Sequence, residues 1–136
     1  MAGPVVISPA TPSRPQPRFG TATQADVPAF LGIMQLLHQE PNSAAFSRLL
    51  SGRLHEDDYI PLAHLFEEIS TLAVHGLISE DLLFDAFAFD LYWDQFRGRI
   101  EQLRSETGNG KLCENFETAA LAAQAYRELR PPRSSS

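Results

Sequence analysis

Between Ser79 and Thr107, apolar residues recur at alternating spacings of three and four residues. The members of this series are Leu82, Ala86, Phe89, Trp93, Phe96, Ile100 and Leu103. Such spacings place side chains on one narrow stripe of an α-helix. The pattern therefore predicts one long helix over residues 79–107, whose stripe is covered by the rest of the chain.

The residues before this segment predict an antiparallel partner for the long helix. Apolar residues at helical spacing run from Leu62 to Ala73, and Gly76 stands where a left-handed residue commonly ends a helix. Ser79 is a favoured N-cap, and the acids that follow it suit the positive end of a helix dipole. A helix over residues 60–75, a tight turn and the helix over 79–107 together predict an antiparallel helical hairpin.

The remaining segments predict shorter helices around this hairpin. Apolar periodicity between Thr23 and Pro41, around Leu49, and between Leu112 and Tyr126 indicates further helices. The predicted fold is therefore all-α, a four- to five-helix bundle organised on the hairpin with its one long helix. We expect a single helical domain over residues 21–130, a loose tail over 131–136 and a disordered proline-rich tail over 1–20, in which residues 9–14 match a PxxPxR ligand pattern.

Composition narrows the function classes. The formal net charge of −6 disfavours direct binding to nucleic acid or to an anionic membrane surface. No apolar run is long enough for a transmembrane helix. With one cysteine the chain forms no internal disulfide, which fits a cytoplasmic protein.

Candidate groups for metal binding and catalysis are sparse. His64, Glu68 and His75 share the solvent side of the predicted helix, but His75 lies two turns beyond Glu68. Cys113 follows a glycine-containing loop near a helix start, with no histidine nearby in sequence. We therefore expect no metal site, no cofactor, no small-molecule substrate and no enzymatic activity.

The most unusual feature is an interval of acids between Arg53 and Arg97 that contains no lysine or arginine. Its ten acids are Glu56, Asp57, Asp58, Glu67, Glu68, Glu80, Asp81, Asp85, Asp90 and Asp94. An acidic surface of this kind attracts a basic protein partner or imitates nucleic-acid phosphates. The same acids also serve as ordinary capping and solubilising residues, and both interpretations stay open here.

A second apolar set lies opposite the heptad stripe in the first half of the predicted long helix. It comprises Phe84, Phe87 and Leu91, and either the first two helices or another chain must cover it. The candidate partner-binding residues are therefore Glu67, Glu68, Glu80, Asp81, Phe84, Asp85, Phe87 and Leu91.

Several segments, taken in their order along the chain, resemble those of an uncharacterised helical family of bacteria and phages. That family is known only as a domain of unknown function. The matching segments are 65–69 (LFEEI), 75–82 (HGLISEDL), Tyr92-Trp93 and 114–116 (ENF), within residues 46–127. The resemblance implies an all-helical fold and a bacterial or phage origin, and it implies no activity or catalytic residues.

The sequence thus favours a noncatalytic protein–protein interaction or regulatory module that binds a protein partner or itself. The alternative is an acidic decoy that imitates nucleic acid and inhibits a nucleic-acid-binding enzyme, in a phage-encoded setting.

Overall fold

The computed structural model describes residues 16–133, which form six α-helices and two short 3-10 turns and contain no strand. The helices are α1 (Val27–His38), α2 (Asn42–Leu50), α3 (Tyr59–Val74), α4 (Glu80–Ala86), α5 (Phe89–Thr107) and α6 (Glu114–Leu129). The all-α class is confirmed, but the expected four to five helices are too few. The predicted PxxPxR motif at residues 9–14 lies outside the described residues.

The prediction of one long helix over residues 79–107 is wrong, because the chain breaks into α4 and α5 at Phe87 and Ala88. The backbone at Phe87 is extended, with φ −132° and ψ 129°. In a continuous helix Phe87 and Phe89 would lie about 200° apart around the axis, whereas extended backbone turns such a pair to one side. Their ring centroids are 6.3 Å apart. The break therefore brings both rings into one aromatic cluster.

The heptad stripe survives only beyond this break. Phe89, Trp93, Phe96 and Ile100 are buried along α5. Ala86, which belongs to the same series, is exposed at the end of α4. The sequence pattern thus describes the inward face of α5 correctly and extends it too far towards the N-terminus.

The turn between α3 and α4 has the predicted geometry. Gly76 adopts φ +69°, its N–H donates to the Ala73 carbonyl at 3.0 Å, and the Leu77 N–H donates to the Leu72 carbonyl at 2.8 Å. These two bonds form the paired closure of a Schellman motif. Ser79 Oγ then accepts the Leu82 N–H at 3.3 Å as the N-cap of α4.

The predicted hairpin organisation is only partly correct, since the main packing partner of α3 is α6. Helix α6 also packs along α5, so it links α3 and α5 within the core. Its inward face carries Ala119, Ala120 and Ala123, which are all buried. Small side chains allow helix backbones to approach closely, which explains how one helix serves two neighbours.

Buried aromatic rings fill the space that these helices enclose. Phe66 of α3 lies 5.3 Å from Phe116 of α6 and 5.4 Å from Phe89 of α5, measured between ring centroids. Trp93 packs edge-on against Phe116 at 5.1 Å. Within residues 16–133, no helix has the length and apolar character needed to cross a membrane.

Candidate interaction surface

Helix α4 carries three of the acids predicted to bind a partner, and its start is fixed by polar contacts. Ser79 caps it, and Glu80 and Asp81 occupy its first turn. The Ser79 N–H donates to Asp26 Oδ1 at 2.8 Å, and this bond joins the start of α4 to the turn before α1. Acids in the first turn interact favourably with the helix dipole.

Asp81 binds residues from both ends of the chain. Its Oδ1 accepts the Tyr126 hydroxyl of α6 at 2.8 Å, and its Oδ2 accepts the Gly20 N–H at 2.7 Å. The Phe19 ring packs on Tyr126, with 5.4 Å between centroids. Burial, with the hydrogen bond to Asp81, raises the pKa of Tyr126 to about 12. Tyr126 is therefore a neutral donor at physiological pH.

The other two acids of α4 face arginines from the terminal segments. Asp85 forms an ion pair with Arg133, which follows α6. Burial raises the pKa of Glu80, and the positive charge of Arg18 opposes that rise. Residues 16–20, the end of the predicted proline-rich tail, and residues 130–133 thus both lie against α4. We call this arrangement the terminal clasp, defined by Phe19, Gly20, Asp81, Asp85, Tyr126 and Arg133.

Acids outside α4 are held mainly by side chains from beyond the acidic interval. Asp58 pairs with Arg48, Glu56 with Arg99 at 2.9 Å, and Asp90 with Arg127. Glu67 Oε1 accepts the Phe116 N–H at 2.8 Å, so it caps the start of α6 in place of Cys113, which makes no side-chain cap bond. Glu68 lies 2.8 Å from His64.

The predicted aromatic face divides between core and surface. Phe84 is buried and lies 6.2 Å from Tyr126 of α6. Phe87 is partly buried between Phe30 of α1 and Phe46 of α2. Leu91 is 46 % exposed. The first two helices and α6 thus cover the two phenylalanines, and Leu91 alone of this set presents a large exposed fraction.

Residues 22–122 match a protein-family model described as Domain of unknown function (DUF4760). The chain belongs to the DUF4760 family. This membership confirms the resemblance to an uncharacterised helical family, and the matched span begins earlier than the resembling segments do. No curated protein and no solved structure matches the chain.

The terminal clasp crosses the boundary of the DUF4760 match. Asp81 and Asp85 lie inside the matched residues, whereas Phe19, Tyr126 and Arg133 lie outside them. The matched domain therefore supplies the acidic helix, and segments before and after the match supply the groups that contact it.

The other candidate groups of this DUF4760 domain are His64, Glu68 and His75 as metal ligands and Cys113 as a nucleophile. Among residues 16–133, no three histidine, cysteine, aspartate or glutamate side chains are grouped to hold a metal ion. Burial raises the pKa of the Cys113 thiol, and the nearby Glu67 charge adds to the rise. That shift is opposite to the lowering that activates a nucleophilic cysteine.

Sequence reasoning missed the residues that complete the clasp. Phe19 and Arg133 stand in proline-containing segments without helical periodicity, so no local pattern marks them as packed. Tyr126 was identified as an apolar helix residue, but its hydroxyl partner lies 45 positions away in sequence. Long-range pairs of this kind leave no spacing signal.

Proposed function

We propose that this DUF4760 domain is a noncatalytic protein-binding module whose helix α4 binds an extended, arginine-bearing segment. The proposal keeps the interaction role predicted from the sequence and concentrates it on Glu80, Asp81 and Asp85. In this proposal the domain works in the cytoplasm, and the bound segment comes from a partner protein or from a second copy of this chain.

The observation that supports the proposal is the terminal clasp itself. The chain's own segments meet α4 with an aromatic ring on Tyr126, a backbone N–H on Asp81 Oδ2 and a guanidinium on Asp85. A foreign segment with the same three groups has the chemistry to replace them. Complementary charge also speeds the encounter of such partners.

The acids are better suited to this role than to imitation of nucleic acid. Asp58, Asp85 and Asp90 are each neutralised by an arginine of the same chain. A surface whose charges are already paired presents a weaker negative potential than an evenly charged phosphate backbone. These ion pairs therefore do not favour the alternative hypothesis, that the domain is an acidic decoy of nucleic acid. That alternative stays a prediction.

A labelled peptide with the sequence of residues 130–136 (RPPRSSS) tests the proposal by fluorescence anisotropy. The Arg133→Ala variant removes the internal competitor for Asp85, so we expect it to bind the peptide more tightly than the unmodified chain. The Asp85→Asn variant removes the acceptor, so we expect weaker binding. Affinity should also fall as salt rises, since the charges at this surface are accessible to ions.

Asp94→Asn is the matched control, because Asp94 is an exposed acid on α5 and its loss changes the net charge equally. If Asp85→Asn and Asp94→Asn weaken peptide binding to the same extent, overall charge explains the binding and α4 is not the site. No peptide binding by the Arg133→Ala variant would also overturn the proposal.

A further inference from the structure

The two chain segments that lie against α4 carry a common sequence pattern. Residues 14–18 read RPQPR, of which the structure describes 16–18, and residues 130–133 read RPPR. Each segment holds two prolines between two arginines, and its last residue is an arginine that directly follows a proline. The two segments come from opposite ends of the chain, so α4 meets the same Pro-Arg dipeptide twice.

The last arginine of each segment lies beside a different acid of α4. Arg133 forms an ion pair with Asp85, and Arg18 borders the same pocket as Glu80. The positive charge of Arg18 also opposes the rise in the pKa of Glu80. Glu80 and Asp85 are five positions apart in sequence, so they project about 140° apart around the helix. The two Pro-Arg units therefore occupy separate positions on α4.

The prolines of the second segment border apolar and aromatic surface. Pro131 and Pro132 line a pocket of about 360 Å³ together with Phe19, Leu82 and Tyr126. Aromatic-lined grooves are the usual binding sites for proline-rich segments. Phe19 is 38 % exposed, so its ring is accessible to a second segment of this kind.

Proline also sets the backbone conformation of such a segment before it binds. At Arg130, which precedes Pro131, φ is −62° and ψ is 126°, close to the polyproline II conformation. In the other segment Pro17 is half-buried, whereas its neighbours Gln16 and Arg18 are exposed. A segment that is already extended loses less conformational entropy on binding. The prolines thus supply both packing surface and a preordered backbone.

We propose that α4 recognises a proline-rich segment of a partner protein through a Pro-Arg dipeptide, with the proline at the pocket beside Phe19 and the guanidinium on Asp85. This inference rests on the proposed function, which requires only an arginine in an extended segment. The chain's own segment is exchangeable, because the side chains of Arg133 and Asp85 are 68 % and 42 % exposed and exposed ion pairs contribute little.

A partner protein is a better source of this segment than a second copy of the chain. Residues 130–133 are tethered close to their own α4, which gives an effective concentration on the order of millimolar. A second copy offers the identical segment without this advantage, so it does not displace the tethered one at ordinary protein concentrations. A foreign segment gains over the tethered one when it presents both Pro-Arg units.

The peptides RPPRSSS and RAARSSS separate the inference from the proposed function, because they carry equal charge and differ only in the prolines. Each peptide is titrated by fluorescence anisotropy into the Arg133→Ala variant, in which Asp85 has lost its internal partner. We expect RAARSSS to bind about four- to thirtyfold more weakly than RPPRSSS, since two prolines no longer restrict the unbound peptide.

Variants of the full chain test the same preference from within. Pro131→Ala combined with Pro132→Ala keeps Arg133 but weakens the internal segment, so labelled RPPRSSS should bind this variant more tightly than the unmodified chain. Phe19→Ala removes the exposed ring of the pocket and should reduce the preference for RPPRSSS over RAARSSS. Val27→Ala is the matched control, because Val27 is 47 % exposed and does not line the pocket.

Three results overturn the inference in different ways. If RAARSSS and RPPRSSS bind the Arg133→Ala variant equally, arginine alone is recognised, so this inference fails and the proposed function stands. If neither peptide binds, the proposed function fails as well. If the unmodified chain is a dimer by analytical ultracentrifugation and the double proline variant is a monomer, the segment comes from a second copy and not from a partner protein.

Discussion

Asp58 shows how a single carboxylate organises its surroundings. It is buried and accepts two bonds from Arg48, from Nε at 2.6 Å and from Nη2 at 2.7 Å. It also accepts the His55 N–H at 2.9 Å. These bonds, with the hydrogen bond from Arg48 foremost, lower the pKa of Asp58 to about 2. One residue thereby fastens the end of α2 to the turn that starts α3.

The lowered pKa of Asp58 predicts a pH-dependent part of the stability. In the unfolded chain the carboxyl titrates near its ordinary value of 3.8, and in the folded chain near 2. Because the folded pKa is depressed, the contribution is complete above about pH 4 and disappears as the pH falls through 2. We expect Asp58→Asn to lower the free energy of unfolding at pH 7 by about 1–3 kcal/mol.

Denaturant unfolding at pH 7 and pH 2.5 measures this difference. The difference in the free energy of unfolding between Asp58→Asn and the unmodified chain should be smaller at pH 2.5 than at pH 7. Asp57→Asn is the control, because Asp57 is its exposed neighbour in the same turn. A gap that stays constant with pH would show that the Asp58 carboxylate does not titrate as its contacts require.

At the scale of elements, the break between α4 and α5 explains what sequence patterns reveal and what they miss. The heptad series and the set of Phe84, Phe87 and Leu91 were both visible, and a single straight helix cannot bury both on one side. The chain resolves this conflict with an extended Phe87. Periodicity detects the buried members of each apolar set, although it also includes the exposed Ala86 and Leu91, and it does not show that the backbone bends to combine the two sets.

The turn after α3 was predictable because its signals, Gly76 and Ser79, are local in sequence. Substitutions at two glycines test whether the left-handed conformation of Gly76 is needed for this turn. Gly76 has φ +69°, whereas Gly98 lies inside α5, and at both positions an added Cβ meets no atom within 4 Å. Gly76→Ala therefore isolates the backbone cost of a left-handed residue, and we expect a loss of about 1–2 kcal/mol. Gly98→Ala should gain about 0.5–1 kcal/mol from helix propensity.

Thermal and denaturant unfolding of the two glycine variants give these free energies directly. The prediction depends on opposite signs for chemically identical substitutions. Equal effects at positions 76 and 98 would mean that the left-handed conformation of Gly76 does not end α3.

At the scale of the whole molecule, the last helix completes the core that the earlier helices begin. Sequence reasoning predicted a helix between Leu112 and Tyr126. It did not identify α3 as the main partner of that helix, because the choice among helices depends on contacts far apart in sequence. The same limit hid the terminal clasp, whereas local caps and the inward face of α5 were predictable.

A substitution at Phe116 of α6 tests whether this helix completes the core. It is fully buried, and its ring lies 5.3 Å from Phe66 of α3 and 5.1 Å from Trp93 of α5. Phe116→Ala removes contacts with α3 and α5 at once, so we expect the free energy of unfolding to fall by about 3–5 kcal/mol. Typical domains have only about 5–15 kcal/mol in total, so a partly unfolded population should appear at moderate temperature.

Trp93 is the only tryptophan, and its fluorescence therefore reports the Phe116 contact without interference. Leu121→Ala is the matched control, because Leu121 lies on the same helix and is 55 % exposed. That control should change stability by less than about 0.5 kcal/mol and leave the emission unchanged. Since α6 joins α3 to α5, Phe116→Ala should also shift the Trp93 emission to longer wavelength at lower denaturant concentration. Coincident unfolding curves for the two variants would contradict the central place of α6 in this fold.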